Sequence, residues 1–402
     1  MTFSLHNDMI KEIENKAGEK VATVFDYLEW RGDVPFSVDP FQEVDNLVLA
    51  ELAYTDFRGI VPSDGTVITL QEASQSFFSM HSREELLADK SFYSKCPFLM
   101  DEMAKGGRFG EMKLCWYIDE IDVRWETQIS AITFLLPGGN AYVAFRGTDG
   151  SVIGWKEDFN FSFLSETKGQ SRAIQYLNEI GAKLDCPLLV GGHSKGGNLA
   201  VYASAFCDPA IRGKILAVYS NDGPGFKQQT TDSEEYIQLL PKIVSIIPDT
   251  SIIGLLLSSK STHRVVKSSA SGILQHDGLT WQVQRNRFIE VPLSPTAEII
   301  HQTMGSWLEQ MDDETRQTFT DTVFFPFEAT GMETFSEISD QKWKVVESFL
   351  DAAKQIPKEK QKEVLRLLGQ LGQLGTQAVT SYLTGLVKGK ESEDSPEDVQ
   401  SV

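Results

Sequence analysis

The sequence predicts an α/β fold: a mostly parallel central sheet with helices on both faces, followed by a helical C-terminal region. Two observations carry this. Short apolar runs alternate with segments of helical periodicity through the middle of the chain, the pattern of strands buried on both faces. A Gly-x-Ser-x-Gly sequence sits where one such run gives way to a helix.

The elements follow in order. Residues 21–60 mix aromatics with carboxylates and end in a helical pattern of Val44, Leu47, Val48, Leu52 and Ala53. Residues 82–104 read as one or two short helices. Residues 113–118 and 128–136 read as strands. Pro137-Gly138-Gly139-Asn140 is a turn, and the run Ala141-Tyr142-Val143-Ala144-Phe145 completes an antiparallel hairpin. Beyond it, a helix over 171–184 (Ala173, Ile174, Leu177, Ile180) precedes an apolar run at 186–190. A second helix over 196–206 precedes the runs 215–219 and 243–247. From 296 onward only helical patterns remain, at 296–311, 313–325, 341–355 and 358–388. The chain thus divides into an N-terminal segment packed on the core (1–60), the α/β core (61–293), a helical region (294–390) and a disordered acidic tail (391–402).

Composition narrows the function. A chain of 402 residues, 41% hydrophobic and 23% charged, can bury a large core. Its net charge of −20, with no cluster of Lys and Arg, excludes nucleic acid as a partner. The polar start, Met1 to Lys20, is no signal peptide, and no apolar run is long enough to cross a membrane. Cys96, Cys115, Cys186 and Cys207 form no CxxC pair and have no histidine at zinc spacing. They read as free thiols of a cytoplasmic protein with neither metal nor cofactor.

The chemistry lies in Leu188-Leu189-Val190-Gly191-Gly192-His193-Ser194-Lys195-Gly196-Gly197-Asn198. An apolar strand leads into Ser194 and a helix begins on it, as a nucleophile elbow requires. Gly192 and Gly196 let neighbouring backbone pass close, and the helix N-terminus offers amides to a developing oxyanion. A Gly-rich phosphate loop is the competing reading, but no Lys-Ser/Thr pair follows at the required spacing.

Two stretches carry a family resemblance. Val143-Ala144-Phe145-Arg146-Gly147-Thr148, followed by Trp155 and Asp158, resembles the strand and oxyanion loop of class 3 lipases, and residues 192–200 resemble their elbow, with Lys195 where leucine is usual. The stretch Phe25-Asp26-Tyr27-Leu28-Glu29-Trp30-Arg31-Gly32-Asp33 is no lipase feature. It is similar to an uncharacterised bacterial branch of lipase-like proteins. The resemblance implies an α/β-hydrolase fold and an oxyanion hole made by the backbone N–H groups of Thr148 and Lys195, with help from the Thr148 hydroxyl. It also implies a triad in the chain order Ser, Asp, His. Asp249, in Ile246-Ile247-Pro248-Asp249, resembles the catalytic aspartate. Asp222, before Gly223-Pro224, is the alternative and otherwise reads as a turn residue.

Among the histidines, His276 is flanked by a turn and a strand-like run, as the lipase base is. His263 fits a strand face. His193 reads as packing beneath the elbow, His301 sits on a helical face, and His6 and His81 are peripheral. The implied activity is hydrolysis of a carboxylic ester, lipid esters included, through an acyl-enzyme. Lys195 weighs against lipids by placing a charge beside the nucleophile. The alternative is a silent scaffold that binds proteins through its C-terminal helices. Those helices, with Gly369, Gly372 and Gly375 suited to close contact, pack on the domain or on a second subunit. Residues 150–168 form either a lid or a cap on the core.

Overall fold

A computed structural model describes residues 21–89, 91, 93–331, 351–352 and 354–393. Eight strands form one sheet in sequence order: β1 (Ile68–Thr69), β2 (Lys113–Asp122), β3 (Thr127–Leu135), β4 (Ala141–Phe145), β5 (Leu188–His193), β6 (Ile215–Asn221), β7 (Ile243–Pro248) and β8 (His263–Val266). Pairings from β1 to β4 are antiparallel and those from β4 to β8 are parallel. The hairpin expected between β3 and β4 is present, and the predicted α/β architecture holds.

Sequential order has a consequence for the layers. Crossovers between parallel strands share one hand, so strands laid down in order send their crossover helices to one face. The helices Lys168–Lys183 and Lys195–Phe206 lie there. Ala173, Leu177, Leu199 and Ala203 pack with Ala141, Val143 and Phe145 of β4. The alternate residues of β4, Tyr142 and Ala144, point to the opposite face, as the period of two in a strand demands. The N-terminal part of the chain covers that face. In the helix Glu43–Leu52 every residue after Glu43 is buried, and Val44, Leu47, Val48 and Leu52 pack with Tyr142, Ala144, Leu189 and Ile246. Residues 21–60 share the layer on that face with Leu70, Phe77, Leu99, Met103 and Trp281 from later in the chain.

A buried polar network locks this layer. Arg108 Nε and Nη2 donate to both oxygens of Asp45, at 2.8 and 2.5 Å, and Tyr27 Oη donates to Asp45 Oδ1 at 2.7 Å. Tyr27 belongs to the helix Val24–Arg31, which is the stretch that set this branch apart in the sequence. Both side chains of the Asp45–Arg108 pair are fully buried. Breaking such a pair strands a charge in the interior. Asp45→Ala is expected to destabilise the fold by about 3–5 kcal/mol, read as a lower urea midpoint at unchanged slope. A change below about 1 kcal/mol would remove the network from the account of stability.

The helices Pro295–Glu309, Asp313–Thr330 and Lys358–Glu393 carry their own small core of Trp307, Met311, Phe319 and Leu367. Two expectations change here. An added Cβ at Gly369 or Gly372 would meet nothing within 4 Å, so these glycines serve no close packing among the described residues. Residues 391–393 continue the last helix instead of opening a tail; 394–402, most of the helix expected at 341–355, and His6 lie outside the described residues. Among the described residues no helix is long and apolar enough to cross a membrane.

Candidate active site

β5 ends at His193, and the helix Lys195–Phe206 starts one residue later. Ser194 bridges them at φ 57° and ψ −131°, a left-handed backbone costly for a side chain. The glycines make the turn possible. An added Cβ at Gly192 would stand 2.4 Å from the Phe145 carbonyl oxygen, and one at Gly196 would stand 2.0 Å from it. Ser194 is 9% exposed. Its hydroxyl makes no hydrogen bond among the described residues, so its contact with an imidazole is not formed in this state.

The sheet register decides which acid is at hand. His193 pairs with Asn221 on the adjacent β6, so the residues that follow, Ser194 and Asp222, leave neighbouring strand ends at the same level. Asp222 Oδ2 accepts from His276 Nδ1 at 2.7 Å. Its Oδ1 accepts from Ser251 Oγ at 2.5 Å and from the Gly254 amide at 3.1 Å. A carboxylate held by three donors fixes the Nδ1–H tautomer of His276 and leaves Nε2 with its lone pair.

Asp249, the acid expected from the sequence, does not join this arrangement. It follows β7, one strand further from β5, and its Oδ1 is buried without a hydrogen-bond partner among the described residues. The segment after β7 instead contributes Ser251, which orients Asp222.

The other histidines also find their places. His263 lies in β8, where Ser245 Oγ meets its Nδ1 at 2.9 Å. His301 Nδ1 donates to the Leu255 carbonyl, and His81 packs on Phe77. His193 is buried beneath the elbow, and burial lowers its pKa to about 3.

Thr148 and Lys195 stand on either side of Ser194. Their backbone N–H groups make no hydrogen bond among the described residues, that of Lys195 because it opens a helix. Gly147 lies against Ser194: an added Cβ would sit 3.0 Å from the serine Cβ. The Thr148 hydroxyl donates to Asp158 Oδ2 at 2.5 Å. Burial raises the Asp158 carboxyl to about 6, and its Oδ1 has no hydrogen-bond partner among the described residues.

The Lys195 side chain corrects a further expectation. It is 1% exposed and runs under the elbow, where Nζ donates to the Gln128 carbonyl at 2.7 Å and to Gln128 Oε1 at 2.8 Å and pairs with Glu157 at 3.2 Å. Its charge is matched by a buried carboxylate and does not face a substrate. Removing Glu157 would leave that ammonium unpaired. Glu157→Ala is expected to cost about 3–5 kcal/mol in folding stability, measured by thermal or urea unfolding.

Residues 150–168 are fixed to the body from both sides. Their helix Val152–Asn160 carries Glu157 inward, while Lys156 pairs with Glu126, Asp321 and Glu328. Arg316 and Lys227 bond the carbonyls of Ser162 and Phe163. The segment caps the core beside the elbow.

Residues 103–325, more than half of the chain, match the family described as Mbeg1-like. The chain belongs to the Mbeg1-like family. The fold of this Mbeg1-like chain is α/β, with a tight strand-to-helix turn at Ser194 where β5 ends. Among solved structures, that of M37 lipase covers 52% of this chain and 68% of its own, at 16% identity and a TM-score of 0.33. No curated protein gives a significant match.

Sequence reasoning missed several supporting residues of this Mbeg1-like chain. Asn198 donates to the carbonyls of Pro224 and Gly225, which fixes the turn after Asp222. Asn46 bonds Asn221, and Tyr54 bonds His193. Asn46 and Tyr54 come from the layer laid down first, some 140 or more positions before their partners, and no local pattern announces them.

Proposed function

We propose that the protein is a serine hydrolase that cleaves carboxylic esters through an acyl-enzyme, in the manner of class 3 lipases. Ser194 is the nucleophile, and His276 takes its proton at Nε2. Asp222 holds the imidazole in the required tautomer and stabilises the imidazolium that forms. The backbone N–H groups of Thr148 and Lys195 receive the oxyanion of the tetrahedral intermediate. The observation that carries this reading is the 2.7 Å bond between His276 and Asp222, at the level of a serine on a strained elbow.

Apolar side chains exposed on the segments that carry the proposed site residues fit an apolar substrate: Ile273 and Leu274, on the turn that ends in His276, are about half exposed, and Trp155 and Phe159, on the helix after the proposed oxyanion loop, are 42% and 39% exposed. With the Lys195 charge buried under the elbow, lipid esters stand among the substrates without the objection raised by the sequence. The test is labelling of the purified protein with a fluorophosphonate probe, beside turnover of esters graded in acyl length. Labelling at Ser194 with ester turnover is the expected result. A properly folded protein that neither labels nor turns over any ester would sink the reading in favour of a silent scaffold.

A further inference from the structure

We propose that Tyr54 and His193 form a positioning relay that holds His276 in place through its main-chain carbonyl. This deepens the hydrolase reading and rests on it for its kinetic consequences. His193 Nε2 lies 2.7 Å from the His276 carbonyl oxygen, and Nδ1 lies 2.9 Å from Tyr54 Oη. A carbonyl can only accept, so Nε2 carries the proton; in a neutral ring Nδ1 is then the acceptor, and Tyr54 donates to it. The tautomer follows from the partners alone.

The surroundings keep the ring neutral. His193 is buried, with the His276 ring 4.6 Å away centre to centre. The nearest carboxylate, Glu51 Oε1, stands 3.8 Å from Nδ1, and burial pushes its pKa well above the carboxylate range, so it does not draw a proton onto the ring. His276 is thereby gripped twice: Asp222 takes its imidazole and His193 takes its backbone. The loop is also held at Gln275, whose carbonyl accepts from Trp281 Nε1 and whose Oε1 accepts from the Thr250 amide, both at 2.8 Å. The His193 bond adds a hold on the main chain of His276 itself, where an ångström of drift is enough to matter for proton transfer from Ser194. Tyr54 comes from the first layer of the fold, so that layer has a part in the chemistry.

The experiment compares His193→Phe, His193→Gln and Tyr54→Phe, each in full-length protein checked for folding. In His193→Phe, kcat on a water-soluble ester is expected to fall about 10- to 100-fold with KM little changed. His193→Gln, which keeps a donor for the carbonyl, is expected to recover most of the loss. Tyr54→Phe, which frees the ring to take the other tautomer, shows a smaller loss of the same kind. In a His276→Ala background the His193→Phe change costs nothing further, because the group it positions is gone. Equal losses in both backgrounds would mean a merely structural role and overturn the relay. So would wild-type kcat in His193→Phe.

Imidazole nitrogen NMR gives a readout independent of activity: His193 keeps the Nε2–H form from about pH 5 to about pH 9, and a ring that titrates in the ordinary range refutes the relay. If the wild type neither labels nor hydrolyses, the hydrolase reading fails on its own. The relay is then judged by hydrogen exchange at His276–Gly278, which is faster in His193→Phe if it stands and unchanged if it does not.

Discussion

Ser194→Ala is expected to abolish fluorophosphonate labelling and to lower kcat on any ester substrate by on the order of a millionfold, while folding stability moves by less than about 1 kcal/mol. The two halves of this expectation have separate causes. On the proposed mechanism the activity falls because the hydroxyl is the atom that forms the acyl-enzyme, and no neighbour can take its place: within the elbow the residues beside it are His193, buried under the turn, and Lys195, whose side chain is paired with Glu157. Stability is unmoved because the Ser194 hydroxyl bonds nothing among the described residues and because alanine meets the same backbone cost at φ 57° as serine does. Undiminished labelling in the variant would place the reactive group elsewhere and remove Ser194 from the mechanism. Lost labelling together with a collapse of the fold would show instead that the elbow serine is structural.

The legible part of this protein was what a local pattern encodes. Strands β4 and β5 and the helix between elbow and β6 follow from apolar runs and periodicity, and the elbow follows from glycines that only a tight turn requires. The histidine of the Asp222 pair was readable as well, from its turn and the run after it. What stayed hidden depends on register and on contacts distant in sequence. Asp222 looks like an ordinary turn residue before Gly223-Pro224 until β6 is laid beside β5. Lys195 looks like an exposed charge until Gln128 and Glu157, brought from β3 and from the helix after β4, are folded beneath it. The N-terminal layer is similar. Its helix shows an apolar face, but that it closes the sheet's second side follows only once sequential strand order leaves that side bare of crossovers.

The choice between the two aspartates carries the second large effect. Asp222→Asn is expected to lower kcat by about four orders of magnitude, whereas Asp249→Asn is expected to leave it within about threefold of wild type, as for a residue outside the reacting network. The asymmetry comes from the tautomer. Asparagine at 222 presents an amide to His276 Nδ1 and no longer demands a proton there; the ring can turn its lone pair to Nδ1, and Nε2 then carries the hydrogen that must be absent for it to act as a base. The charge that stabilises the imidazolium is lost in the same step. Ser251 and the Gly254 amide, which donate to Oδ1, would still hold the side chain in place, so the loss should fall on kcat with KM and folding stability little altered. His276→Ala sets the scale, since on the proposed mechanism it removes the base outright and leaves only what binding and the proposed oxyanion amides supply. Asp249, bonded through its main chain to Val266 and Ser294, touches none of these groups. Should Asp249→Asn prove the crippling change and Asp222→Asn the silent one, the acid would belong to β7 as the sequence first suggested, and the pairing of His276 with Asp222 would have no part in turnover.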